Sequence, residues 1–480
     1  MKSCSAACIL CLFLAAGCAV GPNYKTPDAH EPDAFRGEQS STTNSIGDLP
    51  WWQLFQDPTL QALIQTALTN NYDLRVAVAR VEESRALLAQ SQSQFYPQLT
   101  YQGASGEGRN VQAGAPADLG GGVGKATEIA GSLSWEIDVW GRIRRLSESA
   151  RANYFATEEA RRDVTISLIA NVAQSYFQLL ALDRELAIAE DTTNSFGQSL
   201  NIFMDRLRGG ASSKLDTAAA AAALASAAAT IPELRRQIVS QENQIRVLLG
   251  DNPGPIARGP TGLETESLPE VPSGLPSELL ERRPDIREAG QLVRAANAQV
   301  GVAKADFFPR ITLTGLLGAI SPELASFGSG TVGGWSLAGN VAGPIFEGGL
   351  LKGQLRQAQA AWDQARFQYQ STVLNAFQEV SDALVSRQEL ADERLELGRA
   401  VAAYQEAVQV ANQRYRGGQA TYYELLQEQQ LLFPAQNALT QTVLNQLLAT
   451  VQLYKALGGG WDAGRQPSVT ASNSVQGAGH

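Results

Sequence analysis

Histidine is nearly missing from these 480 residues: His30 and His480 are the only two. Imidazole catalysis and histidine-based metal sites therefore have almost nothing to draw on. Cysteine is as scarce, and its placement excludes more than its number. Cys4, Cys8 and Cys11 precede Cys18, so a chain that loses residues 1–17 keeps one thiol and no internal disulfide. Basic residues are outnumbered 38 to 48 and form no block, which excludes the phosphate footprint of a nucleic-acid binder. Past the N-terminus no eighteen uninterrupted apolar residues occur, so no transmembrane helix is expected; such a chain crosses a bilayer only with strands. No nucleophile–histidine set, Cys/His metal spacing or phosphate-binding glycine loop is present. Enzymatic activity, a metal and a diffusible cofactor are therefore not expected.

What is there begins with a leader. Lys2 is followed by an apolar run from Ala6 to Ala16, too short to span a bilayer. It ends in Leu14-Ala15-Ala16-Gly17-Cys18, a bacterial lipobox in form. Residues 1–17 are expected to be removed as a lipoprotein signal peptide, leaving Cys18 to carry a covalent lipid. The plainer alternative is an ordinary signal peptide with an incidental cysteine.

The remainder contains one plan twice. Asn71-Tyr72-Asp73-Leu74-Arg75 matches Arg283-Pro284-Asp285-Ile286-Arg287, and Phe95-Tyr96-Pro97 matches Phe307-Phe308-Pro309, both at an offset of 212 residues. Arg208-Gly209-Gly210 matches Arg416-Gly417-Gly418, and Leu249-Gly250 matches Leu457-Gly458, both at 208. One copy thus has a hairpin loop four residues longer. Each copy, 57–250 and 277–458, reads as helix, strand, loop, strand, long helix, tight turn and return helix. Residues 18–56 form an N-terminal segment, the proline-rich stretch 251–276 an extended linker, and 459–480 a flexible tail. Asp57-Pro58 supplies an N-cap and a first-turn proline to open the first helix.

After each Phe-aromatic-Pro the pattern alternates with period two. Ile129, Leu133, Trp135 and Ile137 oppose Ser132, Ser134, Glu136 and Asp138; Trp335, Leu337 and Val341 oppose Ser336 and Asn340. Leu316 and Ile320 blur the polar face of the third strand. Alternating strands about ten residues long with aromatic ends suit a membrane barrel, with the hairpins at about 96–140 and 309–347. A small soluble sheet is the alternative. Four strands cannot close, and open edges are not tolerated in lipid, so the barrel reading demands oligomers. Two chains would give eight strands and three would give twelve.

Arg142 to Arg208 and Leu350 to Arg416 contain no proline and few glycines. Each run is 67 residues, about 100 Å as a helix. Apolar residues recur at steps of three and four, the spacing of packed helices. Pro232 and Pro434 are expected to kink the return helices.

Several motifs now stand in order: Cys18-Ala-Val-Gly-Pro-Asn-Tyr24, Trp51-Trp52-Gln-Leu-Phe-Gln-Asp57-Pro58, Trp135-Glu-Ile-Asp-Val-Trp-Gly141-Arg, Leu280-Glu-Arg-Arg-Pro-Asp-Ile286 and Pro344-Ile-Phe-Glu-Gly-Gly349. Together they resemble the TolC-like outer-membrane efflux proteins, specifically the lipoprotein (NodT-type) branch serving tripartite RND-type pumps, over nearly the whole chain. The resemblance implies a mixed α/β membrane protein: a homotrimer with a 12-stranded transmembrane β-barrel, four strands from each chain, continued by a 12-helix periplasmic α-barrel. It implies a passive duct, lipid-anchored in the outer membrane, whose partners are a periplasmic adaptor (membrane fusion) protein, an inner-membrane transporter and outer-membrane lipid. The turns Arg208, Gly209, Gly210, Ala211 and Arg416, Gly417, Gly418, Gln419 would meet the adaptor. Asp216, Arg414, Tyr415 and Glu424 would form the periplasmic gate. Gln427 stands where the family commonly has an aspartate, which shifts the expectation for the innermost constriction to Tyr415 and Glu424. Asp216 and Glu424 have a plainer reading as solvated helix residues, and the turns as simple helix stops. The alternative for the whole chain is a periplasmic coiled-coil scaffold lipoprotein without a pore. Whether drugs, metals or other cargo pass stays open.

Overall fold

The computed structural model describes residues 19–29, 32, 34–37, 49–109, 123–210, 212–260, 262–263, 276–321 and 332–459. The leader, Cys18, Ala211, both hairpin tips and the tail beyond 459 lie outside the described residues, as do the expectations placed on them. In chain order the elements are α1 (Trp51–Leu54), α2 (Pro58–Asn70), α3 (Tyr72–Ser93), β1 (Gln98–Arg109), β2 (Val123–Ile137), α4 (Arg142–Arg208) and α5 (Lys214–Leu248). The second copy supplies α6 (Pro276–Arg282), α7 (Pro284–Ala305), β3 (Arg310–Ser321), β4 (Val332–Ala342), α8 (Leu350–Arg416) and α9 (Tyr422–Ala456).

One expectation is corrected. The single helix opening each copy is two helices, broken at Asn71 and Arg283. Asn71 leaves the helical region and its carboxamide oxygen caps the next helix, accepting from Leu74 N at 3.0 Å. In the second copy Pro284 does the breaking, since it has no N–H and restricts the residue before it. Pro232 and Pro434 lie inside helices that continue through them.

Contacts divide the chain into two units. One comprises residues 1–28, 79–159 and 288–371; the other 29–78, 160–287 and 372–480.

The first unit holds the sheet. Its four strands run antiparallel in the order β1-β2-β3-β4, so the copies meet at β2 and β3, and β1 and β4 are left as edges. Register puts Leu99 opposite Leu133, Trp135 opposite Leu313 and Leu337 opposite Gly315, all on one face. On that face Tyr101 is 92% and Trp335 79% exposed, with Leu99, Leu317, Leu337 and Val341 bare as well. The other face is tied by polar pairs, Thr100 to Ser132 at 2.6 Å and Asn340 to Thr314 at 2.9 Å. A sheet with apolar residues outward and polar ones inward is built for lipid.

The motif Trp135–Arg142 welds the strands to α4. Glu136 receives both arms of the Arg142 guanidinium at 2.8 Å. Asp138 caps α4 through Ile143 N and Arg144 N, both at 2.9 Å. Trp140 stacks on Phe308 at 4.8 Å and donates to Pro309 O at 2.8 Å. The segment after Cys18 is clipped alongside: Val20 N donates to Trp140 O at 3.0 Å, Arg145 reaches Asn23 at 2.9 Å, and Asn297 donates to Pro22 O at 3.0 Å. Gly21 (φ +112°) sits so close that a Cβ there would lie 2.5 Å from Gly301 Cα. No other residue type fits.

The second unit is an all-helical core. Phe55, Tyr176, Phe177 and Tyr454 are buried in aromatic contact at 6.3–6.4 Å, each ring worth roughly 1.5–3 kcal/mol of burial. Asp57 caps α2 at Thr59 N, 2.7 Å, and accepts from the Tyr176 hydroxyl at 2.7 Å; that hydroxyl in turn accepts from Gly259 N at 2.9 Å. The described part of the linker is thereby held, helped by Arg258 between Asp183 and Glu242.

Two helices, α4 and α5, are long and apolar enough to cross a membrane by length and composition alone. The apolar stretch of α4 is mostly buried against its own protein neighbours, and α5 is apolar chiefly through the alanines between Ala218 and Ala229. Alanine removes too little apolar surface from water to hold a helix in lipid, so the strands remain the membrane element.

Candidate functional site

The residues singled out from the sequence gather at the turns following α4 and α8. After α8, Gly417 N donates to Gln413 O, Gly418 N to Tyr415 O at 3.1 Å, and Gln419 N to Arg414 O at 2.8 Å. With Gly418 at φ +73° this is a Schellman stop. After α4, Gly209 N donates to Asp205 O and Gly210 N to Leu207 O, both at 3.1 Å. Arg208, Gly209, Gly210, Arg416, Gly417, Gly418 and Gln419 are all exposed. A Cβ built on Gly418 meets nothing within 4 Å, so backbone conformation alone, and not packing, demands glycine there.

Asp216 and Glu424 both occupy the third position of a helix and fold back on its start. Asp216 accepts from Ser213 N at 2.9 Å and the Ser213 hydroxyl at 2.8 Å, while Asp216 N donates to Ser213 Oγ at 3.1 Å. Glu424 accepts from Thr421 N and the Thr421 hydroxyl, both at 3.2 Å. These are capping boxes. The Ser213 amide and hydroxyl hold the Asp216 carboxyl below its ordinary range. Each carboxylate thus has a local capping role beside the gate role expected of it. Arg414 stands 3.8 Å from Glu424 and 3.5 Å from Gln419 O, and Gln427 is exposed.

Tyr415 departs from expectation. It is 4% exposed, packed inside the chain between Phe203 (5.8 Å) and Tyr422 (6.2 Å), with the Arg206 guanidinium 4.3 Å over its ring. Its burial pushes the phenol up, and burial pushes that of Tyr422 up to about 12. Phe203 and Tyr422 meet at 3.8 Å. This aromatic cluster, with Ala220, Ala223 and Leu425, stiffens the end of the helices instead of presenting Tyr415 to solvent. Sequence reading missed Tyr422 and the exposed pair Leu215 (77%) and Tyr423 (73%). The signal was available: Leu215 and Tyr423 are 208 apart, the offset of the turns themselves.

Residues 63–251 and 275–459 match the family model described as outer membrane efflux protein. The chain is 37% identical over 472 residues to the probable efflux pump outer membrane protein TtgC of Pseudomonas putida, covering 95% of this chain and 96% of that protein. It is 35% identical over 459 residues to the cation efflux system protein CusC of Escherichia coli, with coverage of 94% and 98%. Among solved structures, the open state of the MtrE outer membrane channel of Neisseria gonorrhoeae superposes with a TM-score of 0.83 at 32% identity, covering 92% of this chain and 99% of that one.

Proposed function

The chain belongs to the outer membrane efflux protein family, and from that membership we propose that three copies close a 12-stranded barrel continued by a helical tunnel into the periplasm. Its location is the outer membrane and its role is that of an efflux channel component. The observation that carries the trimer reading is the sheet: among the described residues β1 and β4 each leave one edge unpaired, and the face bearing Tyr101, Trp335 and Leu337 is bare. Unpaired backbone in lipid costs several kcal/mol for each group, so the edges of one chain close on those of the next. Three chains of four strands reach the twelve that the family resemblance implies.

In this reading Cys18 bears the lipid, and residues 19–24 are the clip that fixes the anchor to the strand–helix junction. The Gly210 and Gly418 turns face a periplasmic adaptor, which links the duct to an inner-membrane transporter. Transport energy comes from that transporter, and the duct is passive. Opening is a shift of helices biased by adaptor contact, acting on the ends capped by Asp216 and Glu424 and braced by Arg414. The relatives bear names of both general and cation efflux, in keeping with a duct that conducts what its pump delivers.

Purified protein in detergent tests the reading. A species three times the chain mass, resistant to mild heating in SDS and conductive in planar bilayers, is expected. A monomer without conductance would leave the pore-free scaffold as the better account. A photo-crosslinker at Gln419 should capture the adaptor in cells, and Cys18→Ala should abolish incorporation of labelled palmitate.

A further inference from the structure

Where the strands meet the helices, a cavity of about 600 Å³ opens on one side of the first unit. Three arginines line it: Arg144 and Arg151 from α4, and Arg294 from α7. Their charges are unequally answered. Arg144 is paired with Asp138 at 3.1 Å, and Arg294 stands 3.8 Å from Glu148, which also receives Arg145 at 2.8 Å. Arg151 is exposed and has no carboxylate within salt-bridge distance among the described residues. The wall therefore carries a surplus of positive charge with planar donors, the chemistry that holds a phosphate.

The same cavity has an unmet acceptor. Gln291 Oε1 is buried with no hydrogen-bond donor, although it lines the cavity beside Glu148. Buried carbonyl oxygens are nearly always paired. An ammonium group placed there would give the amide oxygen its missing donor and add to the one Glu148 already receives from Arg145.

The surroundings say which molecule would bring both groups. Phe95, Tyr96 and Phe155 form the apolar part of the lining, and Tyr96 is 69% exposed. The turn that carries Phe95 is bonded to the lipid-facing side of the sheet, since Trp135 donates its indole N–H to Phe95 O at 3.0 Å. Trp135 shares its face with Leu99, Leu133 and Leu313 through the strand register. The cavity thus lies at the end of the apolar band, at headgroup level. Arg294 also faces Tyr24 of the N-terminal clip, its guanidinium 5.9 Å over the ring.

We propose that this cavity seats the headgroup of a phosphatidylethanolamine molecule from the periplasmic leaflet, with the phosphate on Arg151, Arg294 and Arg144 and the amine on Gln291 and Glu148. The aromatic lining receives the start of the acyl chains. Such a lipid would fix the depth at which the barrel sits. The inference rests on the outer-membrane location of the sheet and not on the adaptor reading.

Full-length oligomer reconstituted in nanodiscs of mixed phosphatidylethanolamine, phosphatidylglycerol and phosphatidylcholine, then stripped with detergent, tests it by native mass spectrometry. Phosphatidylethanolamine should be retained in preference to the other two, and excess inorganic phosphate should not displace it. Arg151→Glu should lower retention by about tenfold or more, since a charge-assisted contact becomes repulsive, while oligomer mass and conductance stay unchanged. Gln291→Ala removes an unpaired acceptor and so costs no stability, but it should narrow the preference for ethanolamine over choline, which has no N–H to give. Equal retention of the three lipids, displacement by inorganic phosphate, or undiminished retention in Arg151→Glu would each overturn the assignment.

Discussion

The side-chain amide of Asn71 donates to the carbonyl of Leu248 at 2.9 Å, closing the end of α5. In the second copy the Arg283 guanidinium does the same for Ala456 at 2.9 Å, closing the end of α9. The duplicated chain kept the geometry of this joint and changed its chemistry. Both side chains sit at a helix break and satisfy a carbonyl that the helix leaves without an internal partner. A neutral amide can be buried with its hydrogen bonds alone. A guanidinium cannot, and Arg283 is accordingly met by Asp285 at 2.6 Å and Glu379 at 2.7 Å.

Removing the two joints should therefore cost different amounts. Arg283→Ala strands two carboxylates and a carbonyl, and should destabilise the protein by about 3–5 kcal/mol. Asn71→Ala loses a cap and one further bond, about 1–2 kcal/mol. Denaturant unfolding of the detergent-solubilised protein reads the difference. Equal losses would mean that the charges around Arg283 are answered by solvent.

The aromatic cluster beneath the turns makes a second, sharper contrast. Phe203→Ala should lose about 3–5 kcal/mol of local stability and expose the helix ends to protease. Tyr415→Phe should be neutral or slightly stabilising, because the hydroxyl is buried with no partner among the described residues. Conductance of Tyr415→Phe should match the parent. A changed single-channel conductance would put that hydroxyl in the pore and undo the packing described for it.

Acid should leave the α5 cap intact well below neutrality. The Asp216 carboxyl lies below its ordinary 3.8 because Ser213 and Ser212 donate to its charged form. Its contribution is thus fully present above 3.8 and is lost only as pH falls through the lowered value. Amide exchange at Ser213 and Asp216, corrected for intrinsic rate, should show protection at pH 5 that disappears under stronger acid. Asp216→Asn should flatten that dependence.

What the sequence made legible followed from period and punctuation. Alternation from Ile129 to Ile137 marks β2, and proline-free runs mark α4 and α8, because each pattern reports a local steric rule. The break at Asn71 was hidden, since a single polar residue inside a helical pattern carries no signal until folding brings near its partner Leu248, 177 positions further along the chain. Tyr415 was misplaced for a related reason. It was expected at the innermost constriction, and only the fold shows Phe203 and Tyr422 closing over it. The cavity-lining arginines were equally silent, because Arg151 and Arg294 are neighbours only across two helices.

Gly418→Asp separates docking from folding. The substitution forces a side chain into φ +73°, which costs a non-glycine residue about 1–2 kcal/mol, with aspartate at the low end. Nothing lies within 4 Å of the new Cβ, so no packing is disturbed, and oligomer yield and heat resistance should match the parent. Under the proposed docking export should nonetheless fall, because a charged side chain would then stand in the path of the partner's backbone. The control is Gly21→Ala, whose Cβ would collide with Gly301 at 2.5 Å; there the N-terminal clip should detach and membrane assembly should suffer first. Normal export by a normally assembled Gly418→Asp protein would remove the docking role from this turn and leave it a helix stop alone.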